Sequence, residues 1–229
     1  MELTGRLKLI ADMTPKCNIV SDIGTDHAYI PIFLVKNNIC TKAIASDVRI
    51  GPVNVATKNI EEYRVSDKVI TRIGSGLESI LDNEIDVVII AGMGGMLIKE
   101  LLEKSLDKVK KANALILQPM YAIEVVHEWL CENGFEVYDE ALAKEDHKIY
   151  NVIACKWAGC NQKKDEIYYH IGEKLFEKRD PLLKKHLQNK IDQLDKIINQ
   201  MENMKEKESI KKAEYLKLKK NLYNALNCL

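Results

Sequence analysis

The chain has 229 residues, of which 46% are hydrophobic and 30% are charged. Domains average roughly 150 residues, so this length predicts one full domain plus an appendage. The composition excludes a disordered or collagen-like chain. The longest apolar stretch, Val87 to Ile98, contains three glycines and is shorter than the 18 or more residues, roughly, of a membrane-spanning helix.

Charge is divided unevenly along the chain. Lys and Arg number 34, as do Asp and Glu, so the formal net charge is zero. Residues 161–229 hold 16 basic and 11 acidic residues, a net charge of +5, and residues 1–160 hold 18 and 23, a net charge of −5. The whole chain should therefore lack a general affinity for polyanions, but its two parts are expected to have different electrostatic tasks.

The beginning of the chain and its cysteines bear on location and metal binding. Residues 1–10 show no basic cluster followed by an apolar run, so no secretory signal is expected and we predict a cytoplasmic protein. The six cysteines include no Cys-x-x-Cys pair, which argues against a structural zinc site or a redox dithiol. We expect free thiols, no metal and a monomer.

Short β-branched apolar runs alternate with segments of helical period from about residue 18 to 158, which is typical of an α/β fold with a mainly parallel sheet. The predicted strands are Asn18–Gly24, Lys42–Val48, Val69–Gly74, Asp86–Gly92, Asn113–Gln118, Phe135–Ala143 and Lys148–Trp157. The predicted helices are Asp26–Asn38, Gly51–Arg64, a short one after Gly76, Gly94–Val109 and Ala122–Asn133. Too few residues separate the last two strands for a crossover helix, so they should form an antiparallel hairpin. A Rossmann-like, seven-stranded sheet with an antiparallel last strand is the methyltransferase variant of this fold.

The last part of the chain, residues 161–229, is predicted to be an α-helical coiled-coil hairpin domain that follows a Rossmann-like domain over residues 1–160. Two sets of apolar residues are spaced four and three apart, as in a coiled-coil seam: Leu187, Ile191, Leu194, Ile198 and Met201, then Tyr215, Leu218, Leu222, Ala225 and Leu229. The polar segment Lys205–Ser209 can turn between them. A preceding helix is expected over about Asp165–Lys178, with a break at Pro181.

The first predicted strand ends in Asp22-Ile23-Gly24, an acidic residue followed two positions later by a glycine. Such a turn binds nucleotide-like ligands, because glycine lets the backbone approach closely and the next helix offers unpaired N–H groups. Asp26 and Tyr29 occupy the later glycine positions of the diphosphate-binding G-x-G-x-x-G pattern. This disfavours a dehydrogenase and favours a ligand with an amino acid group, whose ammonium and carboxylate Asp22 and backbone groups can hold.

Three further strand ends predict parts of the same site. Asp47 ends the second strand, where this fold places a carboxylate on ribose hydroxyls. The third and fourth strands end in glycine-rich turns that would supply the adenine wall and the surroundings of the methyl donor: Gly74, Ser75 and Gly76, then Ala91, Gly92, Met93 and Gly94. Each position alone has a purely structural alternative, but all four strand ends point to one crevice.

Three strings identify a family resemblance: Asp22-Ile-Gly-Thr-Asp-His-Ala-Tyr-Ile-Pro31, Ile90-Ala-Gly-Met-Gly-Gly95 and Leu117-Gln118-Pro119. Together with the leading Leu3-Thr-Gly-Arg6-Leu7, they resemble the bacterial tRNA (adenine(22)-N(1))-methyltransferase family over nearly the whole chain. The resemblance implies S-adenosylmethionine as methyl donor and N1 of an adenine in the tRNA D arm as acceptor. Relatives usually have Gly-Asp-Gly-Leu where this chain has Gly74-Ser75-Gly76-Leu77, so a hydroxyl replaces a carboxylate that would bond the adenine amine of the cofactor.

Methylation at N1 makes the base cationic, so a nearby carboxylate would stabilise the developing charge. Asp26 is the candidate for this role, and its alternative role is to cap the helix Asp26–Asn38. His27 is a candidate for proton removal from the exocyclic amine or for a cofactor contact. Tyr29 and Tyr121 are candidates for stacking on the target base, or they are core aromatics.

The remaining substrate candidates lie at the fifth strand and in the tail. Gln118 and Pro119 would close the acceptor pocket, with the Gln118 amide able to bond an adenine edge, and Arg6 is a further RNA contact. In the tail, lysines would bind tRNA phosphates or only solvate a coiled-coil face: Lys184, Lys185, Lys211, Lys212, Lys219 and Lys220. Two competing interpretations are a methyltransferase of a small metabolite and a non-catalytic tRNA-binding protein. A small-molecule enzyme would have no use for a positively charged helical hairpin.

Overall fold

The structure is a computed structural model that describes residues 1–161, 163–201 and 207–229. Its centre is one seven-stranded sheet in the order β3-β2-β1-β4-β5-β7-β6. The first five strands pair in parallel, and β7 runs antiparallel between β5 and β6. The strands are β1 (Cys17–Ile23), β2 (Cys40–Asp47), β3 (Val69–Ile73), β4 (Val87–Met93), β5 (Ala114–Pro119), β6 (Phe135–Glu145) and β7 (Lys148–Trp157).

Helices cover both faces of the sheet and form the end of the chain. They are α1 (Gly5–Met13), α2 (Tyr29–Lys36), α3 (Ile50–Glu62), α4 (Gly95–Lys104), α5 (Leu106–Val109), α6 (Ile123–Glu132), α7 (Glu166–Ile171), α8 (Glu173–Lys178), α9 (Leu183–Gln200) and α10 (Lys207–Asn227). Two short 3-10 helices, Gly76–Ser79 and Asp82–Glu84, lie between β3 and β4. Within the described residues, no helix combines the length and the apolar character that crossing a membrane requires.

The sheet confirms the predicted fold class. All seven predicted strands are present with bounds shifted by at most one or two residues, and β6 and β7 form the predicted antiparallel hairpin. The strands could be predicted because a strand that is buried on both faces of a sheet is a nearly continuous run of β-branched apolar residues. The six cysteines are free thiols, as predicted.

The prediction that a helix begins at Asp26 is wrong. The helix α2 begins at Tyr29, and the residue before it, Ala28, has a left-handed backbone with φ of 56°. The intervening loop is bonded elsewhere: the backbone N–H groups of Gly24 and Thr25 both donate to the Ser46 carbonyl at 2.8 Å, and Ala28 N–H donates to the Thr25 hydroxyl at 3.2 Å. Asp26 is therefore not the cap of this helix.

Two helices predicted as continuous are each divided. The segment Gly94–Val109 breaks at Ser105, whose backbone (φ −122°, ψ 28°) is not helical, so α4 and α5 are separate. The segment Asp165–Lys178 breaks at Gly172, which has a φ of +80°. A Cβ at Gly172 would lie 2.6 Å from Glu140 Oε1, so only glycine allows the Glu140 carboxylate to approach the chain here.

The helix α1 was not predicted from the sequence. It packs beside α2 and against β6 and β7, and it buries Ile10 and Ala11 in the core on that face of the sheet. The opposite face packs against α4 and α6 through Ile98, Leu102 and Trp129. The two faces of the sheet thus have separate cores, as expected for a layered α/β fold.

The two long helices of the tail, α9 and α10, pack together through the predicted seams. Leu187, Ile191, Leu194 and Ile198 of α9 are buried against Leu222 and its neighbours on α10. The predicted turn at 205–209 falls partly on residues 202–206, which lie outside the described residues, and from Lys207 the chain is helical. The seams are therefore packing surfaces that cover a third apolar core.

A buried polar cluster joins the beginning of the tail to the sheet. His127 on α6 lies with Nε2 2.8 Å from Glu140 Oε1 and with Nδ1 2.7 Å from the Tyr169 carbonyl oxygen. The same carboxylate accepts hydrogen bonds from Asn151 Nδ2 at 3.3 Å and from Lys174 N–H at 3.1 Å. A carbonyl oxygen only accepts, so Nδ1 carries a proton, and one further proton is shared between Nε2 and the carboxylate. This cluster fixes α7 and α8 against β6.

We expect the His127→Leu variant to lose about 3–5 kcal/mol of unfolding free energy. Leucine fills a similar volume but leaves the Glu140 carboxylate buried without its imidazole partner, and both side chains are almost fully inaccessible to solvent. Urea unfolding monitored by circular dichroism measures the change.

The matched control is Lys156→Ala, which breaks a surface pair whose Nζ lies 3.7 Å from Glu136 Oε2. Exposed pairs contribute about 0–1 kcal/mol, so this variant should unfold almost like the unmodified chain. Equal stabilities for His127→Leu and Lys156→Ala would show that the buried cluster does not hold the tail.

Candidate nucleotide site at the carboxyl edge of the sheet

The parallel register brings four strand ends to one edge of the sheet. Ile23 pairs with Ser46 on β2 and with Ile90 on β4, and Ala91 pairs with Gln118 on β5. The loops that follow these strands therefore surround one crevice, which is where ligands bind in open α/β sheets.

The loop after β1 carries a buried carboxyl group. Asp22 is 6% exposed, and burial raises its pKa to about 6, although a hydrogen bond from the Thr25 side chain acts in the opposite direction. Gly24 has a φ of +79°, and a Cβ at this position would lie 2.1 Å from the Met93 methyl group. The glycine thus allows the loops after β1 and β4 to touch.

Asp26 and His27 lie on the outer side of this loop. The side chain of Asp26 is 68% exposed, and its Oδ2 lies 3.3 Å from His27 Nε2. The His27 ring stacks on Tyr29 with a centroid distance of 5.1 Å and an interplanar angle of 9°. Tyr29 is exposed rather than part of the core. A carboxylate, an imidazole and an exposed aromatic ring thus lie together at the N-terminus of α2.

Asp47, at the end of β2, is buried and has one carboxylate oxygen engaged. Its Oδ1 accepts a hydrogen bond from Arg49 N–H at 2.8 Å and lies 3.4 Å from Arg49 Nε. Both contacts use the same oxygen. Oδ2 makes no hydrogen bond to another described residue and is available to a ligand.

The turn after β3 is bonded to the end of β2. Gly74 N–H donates to the Asp47 carbonyl at 3.1 Å, and a Cβ at Gly74 would lie 2.4 Å from Ser79 Cβ. Gly76 has a φ of +54° and packs against Leu101. Ser75, between the two glycines, is exposed. The predicted adenine wall thus lies beside the predicted ribose carboxylate.

Gln118 differs from its predicted role as a free amide for the substrate. It is fully buried, its Oε1 accepts hydrogen bonds from Gly92 N–H at 3.1 Å and Arg6 Nη1 at 3.4 Å, and its Nε2 donates to the Pro119 carbonyl at 3.0 Å. The side chain is thus occupied by contacts within the protein. It positions the loop after β4 instead of offering an amide to a base.

Arg6, on α1, is likewise held by the protein. Its backbone N–H and Nε contact the Glu145 carboxylate at 2.9 and 3.3 Å, and its guanidinium lies 5.5 Å from the centroid of the Tyr150 ring. The helix α1 and the hairpin β6–β7 are thereby linked to the end of β5.

The loop after β5 crosses the glycine-rich turn after β4. Gly95 N–H donates to the Tyr121 carbonyl at 2.9 Å, and a Cβ at Gly94 would lie 2.4 Å from Tyr121 Cζ. The Tyr121 ring is 69% exposed, so it is not a core aromatic. Pro119, in contrast, is buried at the end of the strand. An exposed aromatic face thus stands beside the crevice on the β5 side.

The tail lysines differ in their surroundings. Lys219 pairs with Asp195 between α10 and α9, and Lys211 lies 6.0 Å from the centroid of the Tyr215 ring. Lys184, Lys185 and Lys220 are exposed and make no ion pair with another described residue. Lys212 is partly exposed. Lys219 therefore stabilises the helix pair, and the others present charge to solvent.

Several residues that shape the site carry no local signal in the sequence. The Ser46 carbonyl organises the loop after β1, and Glu145 holds Arg6 from 139 positions away. Ala28 has a positive φ that no sequence pattern indicated. These contacts depend on tertiary packing, so they leave no local pattern of the kind that marks Asp22, Asp47 and the glycines at the strand ends.

Comparisons with known proteins agree with this geometry. Residues 3–153 match the family described as "Methyltransferase domain". The tRNA (adenine(22)-N(1))-methyltransferase of Bacillus subtilis (strain 168) is 36% identical over 156 residues, which cover 68% of this chain and 66% of that protein.

Solved structures extend the similarity to the tail. The crystal structure of the B. subtilis M1A22 tRNA methyltransferase TrmK has a TM-score of 0.89 and 30% identity, with coverage of 98% of this chain and 99% of that one. The structure of M. capricolum TrmK in complex with S-adenosyl-homocysteine has a TM-score of 0.84 and 29% identity, with 99% of both chains covered. The chain therefore belongs to the methyltransferase-domain proteins and, among them, to the tRNA (adenine(22)-N(1))-methyltransferase family.

Proposed function

We propose that this protein transfers a methyl group from S-adenosylmethionine to N1 of adenine 22 in the D arm of tRNA. The observation that carries the proposal is the full-length similarity to a relative solved with S-adenosyl-homocysteine, combined with the polar residues at the four strand ends. S-adenosyl-homocysteine, which the cofactor becomes after methyl transfer, has a nucleoside and an amino acid group. The crevice offers partners for both groups.

The residues of the crevice fit the cofactor. The buried Asp22 carboxyl makes no ion pair within the described residues, so it can accept an ammonium group. The free Oδ2 of Asp47 can accept hydrogen bonds from ribose hydroxyls. Gly74, Ser75 and Gly76 would border the adenine, and the turn from Ala91 to Gly94 would border the reacting group. When bound, S-adenosylmethionine supplies a methyl group on a positively charged sulfur.

The chain itself would contribute mainly positioning and charge. Adenine N1 is a nucleophile without further activation, so alignment and electrostatics can supply most of the rate. Asp26, freed from any capping role, presents an exposed carboxylate that would stabilise the positive charge appearing on the base. His27 beside it would accept a proton from the exocyclic amine. Tyr29 and Tyr121 expose rings on which the base can stack.

Binding of tRNA would involve the tail. Lys184, Lys185, Lys211 and Lys212 lie on α9 and α10 and present positive charge that can contact phosphates. We further propose a division near residue 160 into a Rossmann-like domain and a helical domain with this contact, in a monomeric cytoplasmic protein. A small-metabolite methyltransferase would not need such a charged surface.

The proposal predicts a specific methylated nucleoside. Incubation with methyl-labelled S-adenosylmethionine and an unmodified tRNA transcript that carries adenine 22 should place label in 1-methyladenosine at that position. Nuclease digestion followed by mass spectrometry identifies the nucleoside and its place.

The control substrate is the same transcript with guanine at position 22. Guanine N1 carries a hydrogen in the ordinary form of the base and has no free lone pair, so this transcript should remain unlabelled. Label in another nucleoside, or no transfer to the adenine 22 transcript, would contradict the proposed function.

The raised pKa of Asp22 predicts a pH dependence of cofactor binding. In the free protein the carboxyl is largely protonated below its pKa of about 6, and an ammonium partner requires the ionised form. The affinity for S-adenosyl-homocysteine should therefore be constant above about pH 7 and fall below pH 6, by up to about tenfold per pH unit. Isothermal titration calorimetry between pH 5 and 8 measures it.

The control is Asp22→Asn, which keeps the shape but has no titratable group. It should bind the ligand more weakly, and its affinity should show no inflection near pH 6. A flat profile for the unmodified protein, or the same inflection in Asp22→Asn, would remove Asp22 from the binding site.

A further inference from the structure

A second concave surface lies between the tail and the sheet. This cleft has a volume of about 540 Å³, within the range of ligand pockets of about 300–1,000 Å³. One wall is the loop Pro119–Ala122 with the start of α6, and a second is the segment 147–151 at the start of β7. The helices α9 and α10 form the opposite wall. The cleft thus begins at Tyr121, the residue whose ring borders the crevice.

The titratable side chains of the cleft are mostly basic. His147, Lys148, His170, His186 and Lys190 line it, and the one carboxylate among the described lining residues is Glu124. Glu124 lies 4.0 Å from His170 Nδ1, and its charge also acts on Lys190. Five basic side chains thus share one carboxylate among the described lining residues.

Lys190 stands out in this set because it is partly buried and makes no ion pair with another described residue. Its removal from water lowers its pKa, and Glu124 opposes that change. One turn away, His186 Nε2 is buried and has no hydrogen-bond partner within the described residues. Burying a charge or polar group without a partner costs stability. Burial lowers the pKa of His186 to about 3, so its ring is neutral, and an anion in the cleft would offset the cost of burying the Lys190 charge.

Aromatic rings accompany these basic groups. Tyr121, Tyr150 and Tyr215 line the same cleft. Basic side chains that bind phosphates, combined with rings on which bases stack, are the usual composition of sites for unpaired nucleotides. A free inorganic anion would not use the rings, so the set favours a nucleotide segment.

We propose that this cleft binds the nucleotide next to the target adenine, with its phosphodiester on Lys190 and its base against the tyrosines. The inference rests on the proposed function, since it takes tRNA as the ligand. It assigns a positioning role to the inner face of the tail, distinct from the lysines on its outer surface. A flanking nucleotide held here would keep the target base near Tyr121.

The test compares Lys190→Met with Lys196→Met, an exposed lysine on the same helix that does not line the cleft. Both variants lose one charge. Binding of unmodified tRNA is measured by fluorescence anisotropy at several salt concentrations, and tRNA methylation gives KM and kcat.

For Lys190→Met we expect about tenfold weaker tRNA binding, as for a lost hydrogen bond to a charged group. The slope of log K against log salt should fall by roughly 0.7–0.9. KM for tRNA should rise with kcat and S-adenosyl-homocysteine affinity unchanged, and Lys190→Arg should retain most of the binding. The melting temperature of Lys190→Met should not fall, because an unpaired buried charge is removed, so weaker binding would not reflect misfolding.

Unchanged tRNA affinity and salt slope in Lys190→Met, or an equal loss in Lys196→Met, would overturn the cleft proposal while the methylation assay still supports the proposed function. Conversely, a selective loss in Lys190→Met by a protein that binds tRNA but methylates no adenine would support the cleft and contradict the proposed function.

Discussion

The parallel pairing of β2, β1, β4 and β5 is the constraint on which the site depends. Because these strands run in one direction, Asp22, Asp47 and the glycine-rich turn after β4 emerge at one edge of the sheet. Gly24 and Gly94 then let neighbouring loops pack without side chains between them. A reversed strand would carry its carboxyl end to the opposite edge. The proposed methyl transfer uses positions that the sheet itself brings together, with little need for specialised catalytic groups.

The second constraint is the attachment of the tail. The cluster of His127, Glu140 and the backbone of α7 and α8 anchors the helical hairpin to β6. Gly172 makes this possible, because any side chain there would collide with the Glu140 carboxylate. The cleft lined by α9 therefore has a defined place beside the loop after β5. In the proposed function, the anchored tail would present a surface for the RNA in addition to the crevice.

Periodicity and spacing were sufficient for the sheet and for the polar residues at its strand ends. Buried strands and coiled-coil seams give strong local patterns, and Asp22 and Asp47 each follow such a strand. The start of α2 was missed because Ala28 adopts a left-handed backbone in a loop held by tertiary contacts. Gly24 and Thr25 donate to the Ser46 carbonyl, and Ala28 donates to the Thr25 hydroxyl. The buried role of Gln118 was missed for the same kind of reason, since its partners Arg6 and Gly92 are distant in sequence.

In the proposed function, the target base lies at the carboxyl edge of the sheet between the loops after β1 and β5. Photocross-linking of a tRNA that carries a photoreactive adenine analogue at position 22, with S-adenosyl-homocysteine present, tests this placement directly. Mass spectrometry of the adducts should locate them on Tyr29 or within Pro119–Ala122. Adducts confined to the edge strand β3 or to the outer surface of α10 would contradict it.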